Sequence, residues 1–263
     1  MQRRAAFFET DAMKDIQGQR DHRRINIKKV GVKNISYPIT LRDNARRIQR
    51  TVATVNMYVN LPHQFKGTHM SRFIEILNRF HGEITLASFH LILEEMKEKL
   101  QAEAAHMEIE FPYFLKRDEA NAIGINEYRC RMHGSLEQKD DLVLTVRVPI
   151  APPQPAQPAA GMPRSLGHWG VAEVALRCRQ FIWIEDLIDT VEEVTRHDLC
   201  WPTDSQAECT LAVEGLTKAI AGKLASHPHI KWFSVRVENL AAGFNTFALL
   251  EWPKGQEQQP TTH

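Results

Sequence analysis

The chain has 263 residues, 43% of them hydrophobic and 25% charged, ordinary globular proportions that exclude wholesale disorder and fibrous repeats. Lys and Arg number 33 against 32 Asp and Glu, a formal charge of +1, so no broad field draws in nucleic acid or an anionic membrane, and neither is expected as a partner. No apolar run approaches the ~20 residues of a membrane-spanning helix, the N-terminus lacks the apolar core of a secretory signal, and four cysteines fit a reducing compartment, so a cytoplasmic location is expected.

The first 25 residues are polar and charged without a sustained period, and read as a flexible arm. Extended character follows from Ile27 to Leu41. Within Val52 to Leu61, the apolar Val55, Met57, Val59 and Leu61 alternate with Thr54, Asn56, Tyr58 and Asn60, the period of a half-buried strand. From His69 to His81, the residues Met70, Phe73, Ile74, Leu77 and Phe80 recur at three and four, predicting a helix with one apolar stripe. A second helix, capped by Thr85, buries Leu86, Phe89, Leu93, Met96 and Leu100. Strands are predicted at about 107–114 and 127–136, the latter with Tyr128, Cys130 and Met132 on one face.

The order then recurs. Strands are expected at 141–150 and 171–179, helices at 184–197 and 208–225, and strands at 230–238 and 245–252. No sequence identity at a fixed period supports the repeat, so it is architectural. The expected fold class is α+β: strand-strand-helix-helix-strand-strand twice over, with antiparallel sheets and helices on one face. The divisions are an arm (1–25), a first module (26–137), a second module (138–253) and a polar tail (254–263). A sheet covered on one face must protect its edges and its other face, and association with a second copy does so. The Pro- and Ala-rich stretch 151–163 cannot join a ladder and reads as a long loop.

Chemistry concentrates in few places. Lys66-Gly67-Thr68-His69-Met70-Ser71-Arg72-Phe73 stands at a helix mouth, where free backbone amides favour an anion such as phosphate and Lys66 and Arg72 can add charge-assisted bonds. An ordinary capped helix start with surface charges fits the same residues. His168 can ligate a metal or move a proton, or be a hydrogen-bonded histidine and nothing more. His197, Cys200, Glu208 and Cys209 form a loose set of metal-capable groups whose spacing matches no compact zinc module. The basic clusters Arg20–Arg24 and Arg46–Arg50 lack the interleaved aromatics of a single-strand nucleic-acid surface.

Asp15-Ile16-Gln17, Asp21-His22-Arg23-Arg24, Val30-Gly31-Val32, Pro38, Thr51-Val52-Ala53, Leu61-Pro62 and above all Lys66 to Phe73 resemble the type IB GTP cyclohydrolases. Phe181 to Asp186 and Val237-Glu238-Asn239 extend the likeness along the chain. The resemblance implies the tunnelling fold, with two modules per subunit and barrels that place active sites at subunit interfaces, in a homodimer or homotetramer. It also implies a reaction, the opening of the purine ring of GTP to 7,8-dihydroneopterin triphosphate and formate for folate or related pterins, with a divalent metal (zinc, manganese or iron). By this likeness His168 is catalytic and a metal ligand, Glu208 a metal ligand, and Glu214 a catalytic carboxylate. Lys66, Thr68, His69, Ser71 and Arg72 line the triphosphate side.

The motifs depart from the family in places. Where the family has a Cys-Pro-Cys loop, this chain has Gln154-Pro155-Ala156; where it has the carboxylate that grips guanine and two histidines, this chain has Ala241, Phe244 and Thr246. A lost guanine clamp removes a contact of about 1.5–3 kcal/mol. The departures leave an alternative: a diverged paralogue that binds a purine or pterin without opening it.

Overall fold

The computed structural model describes residues 27–44, 48–61, 69–80, 86–116, 125–150, 170–180, 182–195, 213–240 and 243–253. Its strands are β1 (Ile27–Arg42), β2 (Ile48–Leu61), β3 (Ala105–Lys116), β4 (Ile125–Leu136), β5 (Asp140–Ile150), β6 (Gly170–Cys178), β7 (Ile230–Leu240) and β8 (Asn245–Trp252). Its helices are α1 (Met70–Arg79), α2 (Leu86–Leu100), α3 (Ile184–Thr195) and α4 (Val213–Ala225). The α+β order strand-strand-helix-helix-strand-strand thus occurs twice.

The strands form one sheet in sequence order, β1 to β8, each pair antiparallel. β4 continues into β5 across a short turn, with Leu136 opposite Asp140 and Arg129 opposite Arg147, so the antiparallel pairing expected of each half runs on from one half into the other. β2 also begins earlier than the expected Val52, pairing Ile48 with Arg42.

Alternation decides the faces. Val55, Met57 and Val59 of β2, Met107, Ile109 and Phe111 of β3, Tyr128 and Cys130 of β4, Val146 and Val148 of β5, and Val235 and Val237 of β7 are buried under the helices. A single core cluster runs through both halves; each large apolar side chain withdrawn from water contributes roughly 1.5–3 kcal/mol before entropy is subtracted. Helices α1 and α2 cover β1–β4, whereas α3 lies on β5 and α4 on β7 and β8. In α2 the predicted face holds, with Phe89, Leu93, Met96 and Leu100 buried.

In α1 the stripe lies elsewhere. Phe73, Ile76 and Leu77 are buried, while Met70 and Ile74 are 39% and 37% exposed. Among the described residues α1 packs mainly on α2 and the edge strand β1, so its contact is a narrow seam centred on positions 73, 76 and 77. Ile74 stands about 100° around the helix from Phe73 and about 160° from Ile76, beyond the margin of that seam. Among the described residues no helix is long and apolar enough to cross a membrane.

The uncovered sheet face carries charge. Arg177 makes a bidentate pair with Asp141 at 2.7 and 2.9 Å, and Arg147–Glu173 and Arg236–Glu238 approach at 3.4 Å. A face built of such ladders tolerates water. Exposed apolar groups stand on β2, in Ile48 and Val52, and on the edge strand β8, in Phe247, Leu249 and Trp252.

Candidate functional site

The mouth of α1 brings three of the predicted residues together. His69 is the N-cap, with extended backbone (φ −75°, ψ 109°) and no side-chain cap hydrogen bond, and no acidic residue occupies the first turn. The uncapped first-turn amides and positive helix end suit an anion. Ser71 is exposed in the first turn. The Arg72 backbone N–H donates to the His69 carbonyl at 3.1 Å. Its guanidinium Nη1 donates to the Lys99 carbonyl at 3.0 Å, which places a cation at the C-terminal end of α2, where the helix dipole favours it. Arg72 therefore ties the start of α1 to the end of α2.

Glu214 heads α4, exposed in its first turn. A carboxylate there offsets the positive helix end, so this mouth is the opposite of the α1 mouth in character. The two helices belong to different pairs, α1 packing on α2 and β1, α4 on α3, β7 and β8. Lys66, Thr68, His168 and Glu208 lie outside the described residues, as do Gln154, Ala241 and the loose set His197, Cys200 and Cys209. Among the described residues no group of three or more His, Cys, Asp or Glu is placed to hold a metal ion. Phe244 precedes β8 and is 71% exposed, and Thr246 is exposed opposite Asn239.

Two polar clusters lay beyond the sequence reading. Glu185, in the first turn of α3, is only 8% exposed. Its Oε1 accepts from the Tyr113 hydroxyl at 2.5 Å and from the Asn44 backbone N–H at 3.0 Å. Burial, reinforced by the Glu185 hydrogen bond, pushes the Tyr113 phenol well above its usual range. Tyr128 likewise donates to Glu192 of α3. Beside Glu185 opens a cavity of about 350 Å³, walled by Leu142, Leu144, Leu176 and Trp183 among others. Phe181 to Asp186 gave a sequence signal, but the tyrosine partner comes from another strand at a separation no local pattern reveals.

The second cluster lies on the uncovered face. Tyr58 stacks on His106 with ring centroids 4.8 Å apart, His106 stands 6.5 Å from His133, and Lys29 sits 4.8 Å over Tyr58. The Tyr58 hydroxyl and His133 Nε2 are 3.4 Å apart. Burial is the main cause that lowers the affinity of both histidines for protons, with Lys29 acting in the same direction.

An eight-strand antiparallel sheet carrying two helix pairs on one face defines a tunnelling-fold protein. It is similar over 89% of the chain to the uricase of Arthrobacter globiformis (TM-score 0.52, 9% identity, 96% of that chain covered). It is similar over 86% to a highly active mutant of the urate oxidase of Bacillus sp. TB-90 (TM-score 0.54, 8% identity, 99% covered). Those identities speak for the fold alone. Sequence narrows it further: residues 13–241 match the family described as type I GTP cyclohydrolase FolE2. The GTP cyclohydrolase FolE2 of Syntrophotalea carbinolica is 41% identical over 258 residues, spanning 93% of this chain and 97% of that protein. That of Pelobacter propionicus is 43% identical over 244 residues, spanning 89% and 95%. The chain belongs to the type I GTP cyclohydrolase FolE2 family.

Proposed function

We propose that this chain is a GTP cyclohydrolase of the IB type, opening the purine ring of GTP to give 7,8-dihydroneopterin triphosphate and formate for folate or related pterin synthesis. The observation that carries the reading is its 41% and 43% identity to the two relatives named GTP cyclohydrolase FolE2, over nearly their whole length. The α1 mouth supplies the anion pocket: its first-turn amides, with Lys66, Thr68, His69, Ser71 and Arg72, hold the triphosphate. His168 and Glu208 serve as ligands of a divalent metal (zinc, manganese or iron), which when bound supplies an activated water. His168 also carries a proton, and Glu214 is a supporting carboxylate.

The proposed units are the arm 1–25, modules 26–137 and 138–253, and the tail 254–263. Because α1 and α4 sit in opposite helix pairs, the reading places an α1 mouth of one copy against the second module of another, in a homodimer or homotetramer.

A second reading draws on the departures at Gln154, Ala241, Phe244 and Thr246: a diverged member that binds a purine or pterin without ring opening. Incubation with GTP and manganese or zinc decides between them. The first reading expects formate and a fluorescent pterin, stopped by chelator, restored by metal and abolished in His168→Ala. GTP binding without turnover establishes the second. Absence of both turnover and binding overturns both.

A further inference from the structure

The cavity beside the start of α3 has features that the GTP reading does not use. Its volume of about 350 Å³ lies in the range of small-molecule sites, roughly 300–1,000 Å³. The wall from the sheet is apolar, Leu142 and Leu144 from β5 and Leu176 from β6, and the Trp183 ring joins it. Such a lining gives water few partners, and a roomy apolar cavity is a poor place for it.

The lining also carries charged groups of both signs, Glu185 against Arg42 and Arg179. Glu185 is buried, and both of its donors, the Tyr113 hydroxyl and the Asn44 N–H, reach Oε1. Oε2 has no hydrogen bond to another described residue and can accept one from a ligand. Arg42 and Arg179 line the same cavity with exposed side chains, and neither guanidinium has an ion pair among the described residues. A cationic amine bound at Glu185 would be repelled by the two guanidiniums on the same lining. A neutral N–H or O–H donor would not, and an acidic group on the same molecule would be drawn to the arginines.

We propose that this cavity binds a small amphipathic anion: an aromatic or otherwise apolar body, one neutral N–H or O–H donor directed at Glu185 Oε2, and an acidic group held by Arg42 and Arg179. The site does not rest on the assignment of GTP as substrate, and its test uses no GTP.

The probe is 8-anilinonaphthalene-1-sulfonate, which combines a fused aromatic body, one N–H and a sulfonate, and fluoresces in apolar surroundings. Titrated into the full-length folded protein, it should give a saturable, single-site, blue-shifted signal and raise the melting temperature. Arg42→Ala and Arg179→Ala change exposed side chains and should each weaken binding about three- to tenfold. N-phenyl-1-naphthylamine, which lacks the sulfonate, should bind the native protein and both arginine variants alike. Leu144→Trp fills the cavity and should abolish the signal in protein that keeps its far-ultraviolet circular dichroism. If that variant does not fold, the arginine variants and the neutral probe decide. Non-saturating binding, or equal affinity of the sulfonate for the native protein and both arginine variants, overturns the proposal.

Discussion

His106 and His133 show how a side chain on a sheet face acquires a pH signature. Both rings are partly covered by Tyr58 and by each other, and burial makes the charged imidazolium the costlier form. For His106, His133 and Lys29 add to that effect while Glu137 opposes it. For His133, Glu108 and Asp141 oppose it, and Arg131 and Lys29 add to it. With folded-state values below the ordinary one, the unfolded chain takes up protons first as pH falls. The native state is therefore unaffected above the ordinary histidine pKa of about 6.5 and loses stability as pH drops below it toward the depressed values. Replacing both residues with glutamine should flatten the dependence of unfolding free energy on pH between about pH 7 and pH 5.5. Urea titrations at the two pH values measure this, and an unchanged slope in the double variant would remove these rings as its source.

At the scale of elements, the period of apolar residues was enough to order the described strands and helices. It was enough to choose the buried face of α2, where the helix lies over several strands and a broad stripe is covered. It misjudged α1, because a helix resting on one helix and an edge strand buries a narrower strip than its apolar residues could supply. Contacts between elements were less legible still. Gly134 lay unremarked in an alternating strand, yet a Cβ built there would stand 2.3 Å from Phe89 Cε1 and 3.2 Å from Leu93 Cδ1 of α2. The glycine sets how closely α2 approaches β4. Gly134→Ala should cost about 1–3 kcal/mol by overpacking, and most of that cost should vanish in a Phe89→Leu background, where the obstructing ring is gone. Urea unfolding of the four proteins of this cycle measures the coupling. An equal cost in both backgrounds would mean that backbone strain, not the α2 contact, governs the position. The candidate site was half legible for a related reason: a helix mouth is local in sequence, whereas Glu185 with Tyr113 and Asn44 is assembled from α3, β3 and the turn after β1.

For the whole molecule, the question is what an open eight-strand sheet does with its edges. Among the described residues β1 and β8 are the terminal strands of the sheet, and an exposed edge with apolar side chains invites pairing with another chain. On β8, Phe247 and Leu249 are 59% and 56% exposed, opposite Glu238 and Arg236 of β7, and Arg236 lies 4.6 Å over the Phe247 ring. The charged ladders across β5 to β7 can remain in water without cost, so it is the β8 edge that gains from being covered. If copies join there, the proposed GTP site and the assembly become one property, since that site draws its α1 mouth and its second-module residues from different helix pairs. Leu249→Glu places a charge at that edge while leaving the core face of β8 untouched. The native protein should elute well above the 30.2 kDa of one chain, and the variant should elute as a monomer with its circular dichroism intact. Formate release from GTP should fall with the loss of assembly, and should recover on concentrating the variant if the monomer is otherwise sound. A native protein that is monomeric by light scattering, or a monomeric variant with full turnover, would mean that one chain completes its own site.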